Sequence, residues 1–483
     1  MAETGPGSGL QAMRRRRIVA GIVAVVLSGC AAGPDYTRPD YDPLAQFALV
    51  DGDPLLSAEP EVEWWQSFDD PVLSDLIELS LRHNHDLRVA AANLAAARAL
   101  LREAGFERFP IVDAGAEATR SRVPAATRFP GADDIQEVYD VSLDMRWELD
   151  FFGRVRRAIE ALRADYEAAL AAQRAVQVRV AAEVGSAYVV LRGAQLRLAV
   201  ARRNAANQRE TFELTEDLLQ GGRGTALDIA RARAQLESTL AGIPALETER
   251  DTAIHRLNVL TGRAPDSLDS PLGTTVPVPQ SEQPVAIGDP KSLLRRRPDV
   301  AASERELAAA TARIGVNVAD LFPRVSLVGS AGRTATDIDD LSESSAETFA
   351  IGPQLRWAAF DLGRVRARID AAEAGTRAAL ARYEQTVLIA LQELQDAIVD
   401  YSRNIEVRDR LEAATAASQE AAELSRLRFR GGADSFLTVL DAERRLLEAE
   451  DRLATSQIDV AQSRIAIYKA LGGGWPGIEP AVE

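Results

Sequence analysis

Residue types that carry chemistry are scarce in this chain. The 483 residues include three histidines, His83, His85 and His255, and a single cysteine, Cys30. His83 and His85 flank one residue near the end of a predicted helix, with no glutamate or cysteine at the spacing of a zinc site. The chain also lacks the GxxxxGKS or GxxxxGKT loop that binds phosphate. The sequence therefore predicts a non-enzyme without metal or cofactor, and the His-Asn-His motif is interpreted as a solvated helix end.

The single cysteine ends a segment with the layout of a secretory signal peptide. Residues 13–30 read MRRRRIVAGIVAVVLSGC, in which four arginines precede a short apolar run and Ser-Gly-Cys. The apolar run is too short for a membrane span. The Leu-Ser-Gly-Cys ending resembles a bacterial lipobox, so we expect residues 1–29 to be removed and Cys30 to carry a covalent lipid such as palmitate. The residue after the cysteine is Ala31. An aspartate at this position would favour retention at the inner membrane, so the alanine favours the outer membrane as the location of the protein.

Length and composition set further limits. The formal net charge is −16, whereas a nucleic-acid partner requires a basic face, so no nucleic-acid partner is expected. With one cysteine the chain cannot form an internal disulfide bond. A chain of this length can hold two or three domains and a large core. The sequence leaves open whether translation starts at Met1 or at Met13.

A strand-like stretch with two different faces precedes a long helix. From Tyr139 to Asp150 apolar and polar residues alternate, and successive side chains of a strand point to opposite faces. A transmembrane strand of about 9–11 residues has this pattern. An amphipathic strand over a soluble core has it too, and the stretch alone leaves both interpretations open. The apolar face comprises Tyr139, Val141, Leu143, Met145, Trp147 and Leu149, and the polar face Asp140, Ser142, Asp144, Arg146, Glu148 and Asp150.

The chain contains one unit twice. WELDFFGRVRRAIEAL, from Trp147, recurs as WAAFDLGRVRARIDAA, from Trp357, at an offset of 210 residues. Further upstream the offset is 213, where Phe109-Pro110 matches Phe322-Pro323. Each copy is predicted to contain a helix, two strands, a long helix, a Gly-Gly turn and a helix. The strands are predicted near residues 110–120, 139–150, 324–333 and 349–360, although Pro353 weakens the last of them.

The duplication defines the predicted domain organisation. A Pro-rich linker at residues 271–290 joins structural repeat 1, residues 71–270, to structural repeat 2, residues 291–475. Residues 30–70 are predicted to be an extended, lipid-anchored segment, and residues 476–483 a C-terminal tail.

The predicted helices are unusually long. A helix from Val155 to Leu219 would extend about 98 Å at 1.5 Å per residue, a length typical of a coiled coil. Alanine dominates its packing positions, which permits close approach between helices. Gly185 and Gly193 are predicted to be points where it bends.

Four strands cannot close a membrane barrel, because known barrels have eight or more. An open sheet in lipid would leave its edge groups unpaired, at a cost of several kcal/mol per group. The strands therefore predict a homo-oligomer that pools them. Three copies would supply twelve strands, but the count alone does not exclude two or four.

Six motifs, in order along nearly the whole chain, resemble the TolC-like outer-membrane efflux proteins in their OprM-like lipoprotein branch. The motifs are CAAGPDYTRPD, WWQSFDDPVLSDLI, RRRPDVAASE, FDLGRVRARI, LTVLDAERRLL and YKALGGGW. The resemblance implies a mostly α protomer with membrane β-structure, which as a homotrimer forms a 12-stranded β-barrel in the outer membrane and an α-helical tunnel in the periplasm. It implies a passive, gated exit duct for drugs, toxic compounds or metal ions, joined by a periplasmic adaptor protein to an inner-membrane pump.

The resemblance also assigns a gate. In the family, rings of side chains from three protomers close the periplasmic tip, and the matching motif here names Leu437, Asp441 and Arg444. Three copies of Leu437 would form an apolar constriction, and three copies of Asp441 an acidic ring. Arg444 and Arg231, which stands at the position of repeat 1 equivalent to Asp441, are candidate counterions.

Two further pairs of positions receive roles from the resemblance. Gly221-Gly222 and Gly431-Gly432, which the sequence already predicts as helix C-caps, would form the tips that contact the adaptor. Trp147 and Trp357 would lie in the interfacial aromatic belt. The apolar row from Tyr139 would then face lipid and the polar row a water-filled pore.

Two alternatives remain open. The same trimer would serve an ABC-driven system if it passed unfolded proteins, although the lipobox and the GGGW ending at Trp475 favour efflux with a proton-driven pump. A structural or adhesive coiled-coil lipoprotein without a pore is the other alternative, and the alternating strands argue against it. The sequence identifies neither the substrate nor the adaptor, and it does not show how the gate opens.

Overall fold

The computed structural model describes residues 31–40, 55–56, 58–129, 131, 133–265, 267–268, 272–281 and 283–475. The predicted signal peptide, Cys30 and the predicted C-terminal tail lie outside the described residues. The chain folds into two units, each of which draws on both sequence repeats. The first unit comprises the N-terminal residues through Pro39, Leu94–Ala169 and Ser303–Tyr383; the second comprises Asp40–Asn93, Leu170–Ala302 and the residues from Glu384 onward.

Helices make up most of the described chain. One helix predicted near residues 73–104 is in fact two, because Asn84 separates them and caps the second. The Asn84 side chain donates to the carbonyl oxygen of Leu260 at 2.9 Å and accepts from the backbone nitrogen of Asp86 at 2.8 Å. The helices are α1 (Pro71–His83), α2 (His85–Phe106), α3 (Arg154–Gln220), α4 (Ala226–Leu260), α5 (Pro290–Arg296), α6 (Pro298–Ala319), α7 (Leu362–Arg430) and α8 (Phe436–Ala470).

The long helix α3 continues through both glycines at which the sequence predicts bends. A Cβ atom at Gly185 would lie 2.8 Å from Cη2 of Trp64, and one at Gly193 would lie 2.2 Å from Cδ1 of Ile458. These glycines therefore allow close packing of α3 against its neighbours. No helix of the described residues has both the length and the apolar character needed to cross a bilayer.

Four long strands of the first unit form one antiparallel sheet. In the order of the sheet they are β2 (Ile111–Arg122), β3 (Ile135–Leu149), β5 (Arg324–Ala335) and β6 (Glu347–Arg356), so β2 and β6 are the edges. The four predicted strands are confirmed, but β3 begins at Ile135, earlier than expected, and β6 ends at Arg356, before Trp357. Pro353 lies in the edge strand β6, where a missing N–H group is tolerated.

The second unit has a core built around aromatic side chains. Trp64, fully buried, stacks on Tyr468 with 5.5 Å between ring centroids. Two short strands, β1 (Leu55–Leu56) and β4 (Val285–Ala286), pair in parallel beside this core. The buried Arg464 donates to the carbonyl oxygens of residues 281 and 283 at 3.1 and 2.8 Å, and so holds the predicted linker on the unit.

Candidate functional site

The sheet has one continuous apolar face. Residues directly opposite each other in an antiparallel pair lie on the same face, and the partners of the predicted apolar row on β3 are apolar or small over most of its length. Leu143 lies opposite both Ala114 and Ala331, and it is 55% exposed. On the edge strand Phe349 is 86% exposed. Large apolar side chains without cover mark a surface that meets lipid or another protein.

The opposite face of the sheet carries the polar row. Asp113 lies opposite Asp144, and Glu117 lies opposite Asp140. Hydroxyl groups bind two of these carboxylates, since Ser142 donates to Asp144 at 2.9 Å and Thr334 donates to Asp140 at 2.8 Å. Like charges placed opposite each other destabilise a sheet unless water screens them. This face therefore suits a water-filled lumen.

The corner between β3 and α3 is fixed by its own side chains. The Asp150 carboxylate accepts from the backbone nitrogens of Val155 and Arg156 at 3.1 and 2.9 Å, and so caps the first turn of the helix. Gly153 has a φ of +80°, a conformation that glycine adopts without strain. The acidic residue that follows the strand thus caps the start of the helix.

The two predicted interfacial tryptophans donate to equivalent backbone positions of the two repeats. Nε1 of Trp147 donates to the carbonyl oxygen of Arg108 at 2.9 Å, and Nε1 of Trp357 donates to that of Leu321 at 3.0 Å. Each acceptor lies at the turn between a helix and the first strand of its repeat. The indole groups therefore join the two ends of each hairpin, while 49% of Trp357 stays exposed.

The residues that follow Cys30 lie in a cradle next to this corner. The buried Arg157 donates to the carbonyl oxygen of Ala32 at 3.1 Å and to the carboxylate of Asp35 at 2.6 Å. The backbone nitrogen of Ala32 donates to the carbonyl oxygen of Phe152 at 3.0 Å. A Cβ atom at Gly315 would lie 2.8 Å from the carbonyl oxygen of Ala32, so only glycine leaves room for the segment. No motif of the sequence pointed to this cradle.

The predicted tips are matching helix ends. In both, the glycine has a positive φ, 72° at Gly222 and 75° at Gly432. Arg223 N donates to Leu218 O at 2.8 Å, and the equivalent bond from residue 433 to residue 428 measures 2.9 Å. This bond pattern is a Schellman motif, which satisfies the last carbonyl groups of a helix. The neighbouring glycines, Gly221 and Gly431, are exposed.

Three of the four predicted gate residues, Leu437, Asp441 and Arg444, lie on one stripe at the start of α8. Leu437 is 54% exposed. Asp441 forms ion pairs with Arg444 at 3.1 Å and with Arg445 at 2.9 Å. Within the described part of the chain Arg231, on α4, makes no ion pair with Asp441. The structure therefore brings Asp441 and Arg444 together within one protomer, and Arg445 is a partner that the sequence motif did not single out.

A buried ion pair lies behind this stripe. The Glu443 carboxylate accepts from Nε of Arg426 and from the hydroxyl group of Thr211, both at 2.8 Å, and Glu443 is 2% exposed. The three residues join α3, α7 and α8 near the tip. Removing one partner of a buried pair is costly because the other charge stays desolvated. No local pattern signals this cluster, since Thr211 and Glu443 stand more than 200 residues apart.

The histidines lie apart from these features. His83 and His85 are exposed at the end of α1 and the start of α2, and Nδ1 of His85 lies 3.2 Å from a guanidinium nitrogen of Arg88. In the part of the chain that the structure covers, no three histidine, cysteine or acidic residues lie close enough together to hold a metal ion.

Comparison with known proteins defines the family. The profile of the outer membrane efflux protein family matches residues 76–263 and 290–473. The chain is 33% identical to the solvent efflux pump outer membrane protein SrpC of Pseudomonas putida over 469 residues. This alignment covers 93% of this chain and 97% of the relative. The chain is 30% identical to the outer membrane protein OprJ of Pseudomonas aeruginosa over 455 residues. This alignment covers 94% of this chain and 95% of the relative.

Solved structures agree with this assignment. The outer-membrane channel OprN superposes with a TM-score of 0.86 at 45% identity, covering 92% of this chain and 100% of that one. The open state of the Neisseria gonorrhoeae MtrE outer membrane channel gives a TM-score of 0.80 at 28% identity, with 92% and 98% covered. The chain therefore belongs to the outer membrane efflux protein family. It has the TolC-like fold of an outer-membrane channel and is the outer-membrane component of an efflux pump.

Proposed function

We propose that three copies of this chain form a passive, gated duct through which an efflux pump expels small molecules across the outer membrane. The observation that carries the proposal is the four-stranded sheet, which has one apolar face, one polar face and two exposed edges. Unpaired strand edges cost several kcal/mol per group in lipid. Three copies together would supply twelve strands, enough for a closed barrel with the polar face inside.

The gate of this duct would lie at the start of α8. Leu437 is exposed, and Asp441 is held by Arg444 and Arg445, so three copies would form an apolar ring next to a ring of ion pairs. Arg231 of repeat 1 lies on the equivalent stripe of α4 and would face Asp441 of a neighbouring copy. An apolar constriction resists wetting, and salt bridges at the same level would hold the helices together.

The tips and the N-terminus would carry the remaining contacts of the system. The exposed glycine turns at residues 221–222 and 431–432 suit contact with a periplasmic adaptor protein, because their backbone is free of bulky side chains. Cys30 would carry the lipid that anchors the chain to the outer membrane. The cradle around Arg157 supports this proposal, since it binds the residues next to Cys30 beside the strand-to-helix corner.

The relatives indicate the class of cargo and of pump. The names of two of them specify solvent efflux and toluene efflux, so we propose small apolar or amphipathic molecules as cargo and a proton-driven inner-membrane pump as the source of energy. These names favour efflux over an ABC-driven duct for unfolded proteins. A structural lipoprotein without a pore would not account for the exposed apolar face of the sheet.

Single-channel conductance in a planar bilayer tests duct and gate together. The wild type should conduct weakly and Asp441→Ala several-fold more strongly, because the variant loses the ion pairs that would close the tip. Asp409→Ala is the matched control, since it removes an exposed aspartate from an ion pair with Arg408 on α7.

The outcomes separate the two parts of the proposal. If the wild type and Asp441→Ala conduct equally well, the duct stands and the gate assignment is wrong. If folded protein conducts in none of the three forms, the duct is wrong and the structural lipoprotein becomes the better interpretation.

A further inference from the structure

The two β-hairpins of the sheet share one register. In β2 and β3, Arg120 lies opposite Glu137 and the two form an ion pair at 3.3 Å. In β5 and β6, Arg333 lies opposite Glu347 with an ion pair at 2.9 Å. The two arginines are 213 residues apart in sequence and the two glutamates 210 residues apart, which are the offsets of the internal repeat. The internal repeat therefore holds to the single residue within the strands.

A seam between the two repeats already exists inside the protomer. It joins β3, the second strand of repeat 1, to β5, the first strand of repeat 2, with Met145 opposite Gly329. The exposed edges of the sheet are β6, the second strand of repeat 2, and β2, the first strand of repeat 1. The four strands alternate in direction, so β6 of one copy and β2 of the next would meet antiparallel.

We propose that β6 of one copy pairs with β2 of the next copy in the register of the β3–β5 seam. The same offsets then place Leu355 opposite Ala116 of the next copy, and Gln354 opposite Glu117 of the next copy. The inference rests on the proposed trimeric duct and adds the residue pairs at which the sheet closes.

The alternative is a register in which opposite charges pair across the seam. A shift of two residues keeps the faces of the sheet, and it would bring Arg356 opposite Asp113 or Glu117 of the next copy. The proposed register instead places Arg356 opposite Gly115 of the next copy. At the internal seam the equivalent arginine does not lie opposite an acidic residue of β5. Arg146, the equivalent of Arg356, lies opposite Val328, so the register that is actually formed there is not the one that pairs charges.

The corner next to the seam provides a second contact. Inside the protomer Phe152 of repeat 1 stacks on Phe322 of repeat 2, with 4.6 Å between ring centroids and 9° between the planes. The equivalent residues at the outer seam are Leu362 of one copy and Phe109 of the next. Phe109 is 62% exposed in the single chain. The proposed register covers this ring with an apolar side chain.

Disulfide cross-linking of the assembled protein tests the register. The paired variants are Leu355→Cys with Ala116→Cys, and Gln354→Cys with Glu117→Cys. Neighbouring rungs of an antiparallel pair have Cα separations of about 5.5 and about 4.5 Å, both within the range of a disulfide bond. Each single variant serves as a control, because Cys30 is the only native cysteine and lipidation consumes its thiol.

Two shifted pairs define the alternatives, namely Leu355→Cys with Ala114→Cys or with Ala118→Cys. After mild oxidation, the proposed pairs should give a band of three covalently joined chains that disappears on reduction. Their yield should exceed that of the shifted pairs by at least about fivefold, because diagonal neighbours are about 7–8 Å apart.

The other results overturn the inference in distinguishable ways. A shifted pair that cross-links best shows a trimer closed in another register, which contradicts the inference and leaves the proposed duct intact. A trimer by sedimentation that cross-links in none of the pairs shows that the edges pair in none of these three registers, which also contradicts the inference. Sedimentation as a monomer, without cross-links, contradicts both this inference and the proposed function.

Discussion

At the scale of single residues, the helical tips depend on a backbone conformation that glycine adopts easily. A side chain at the positive φ of Gly432 costs about 1–2 kcal/mol. We therefore expect Gly432→Ala to speed hydrogen exchange in the last turn of α7 by about tenfold, which corresponds to about 1.4 kcal/mol.

Gly375→Ala is the control for this change. It lies in the same helix, where an added Cβ atom would have no heavy atom within 4 Å and φ is not positive, so alanine should protect the helix slightly. Unchanged exchange in Gly432→Ala would show that the tip does not need the left-handed conformation.

The second tip should also respond to acid. Asp434 forms an ion pair with Arg428 at 2.6 Å, and hydrogen bonding from this guanidinium group lowers the pKa of the Asp434 carboxyl. A lowered pKa stabilises the folded tip above the ordinary aspartate pKa, about 3.9, and this contribution is lost as pH falls through the lower folded value. Hydrogen exchange around residues 428–434 should therefore increase in this acidic range.

Asp434→Asn isolates that effect. The variant should exchange faster than the wild type at neutral pH and should lose the acid-dependent step in this segment. If the variant and the wild type show the same pH profile, the ion pair does not hold the tip.

The proposed gate shows which contacts a sequence can predict. Asp441 and Arg444 stand three residues apart, a spacing that brings side chains together on a helix, and they form the ion pair expected of a counterion. Arg445 satisfies the four-residue spacing equally well, but the family motif did not single it out. The sequence could not predict the contacts of Glu443, because its partners Thr211 and Arg426 come from two other helices. A local pattern also does not show which charged residue of a run is buried.

At the scale of elements, alternation predicted β3 and its two faces, but the ends of the strands depend on the neighbours. β3 starts at Ile135 because β2 extends to Arg122 opposite it. β6 ends at Arg356 because its partner β5 begins at Arg324. The division of the first helix at Asn84 depends on a bond to Leu260, which lies 176 residues away. Local propensity does not contain this information.

The cradle for the N-terminal segment is an element-scale device that can be tested. Arg157→Met keeps the length of the side chain but removes its hydrogen bonds to residues 32–35. The free energy of local opening of residues 31–39 should fall by about 2 kcal/mol, measured by hydrogen exchange on the full-length protein.

Arg163→Met is the matched control, since Arg163 is an exposed arginine of the same helix. It should leave the exchange of residues 31–39 unchanged. Equal protection of this segment in both variants would mean that the close contacts at Gly153 and Gly315, rather than the guanidinium group, hold it.

At the scale of the whole molecule, the sequence predicted the duplication and the fold class, because repeated motifs and alternation are local signals. It did not predict that each unit draws on both repeats. Strands from residues 111–149 and 324–356 share one sheet, and pairing across such distances depends on long-range contacts that no single window of sequence contains. The family resemblance supplied the prediction of a trimer, because four strands alone leave the oligomeric state open.

The proposed duct requires the polar face of β3 to meet water and the apolar face to meet lipid. Single-channel current from Ser142→Cys and Leu143→Cys, recorded while a charged, membrane-impermeant thiol reagent is added, distinguishes the two faces. The two residues are neighbours on one strand and differ in the face that they occupy. We expect the reagent to reduce the current through Ser142→Cys and to leave that through Leu143→Cys unchanged. A block of Leu143→Cys alone, or folded protein that carries no current, would contradict this assignment of the two faces.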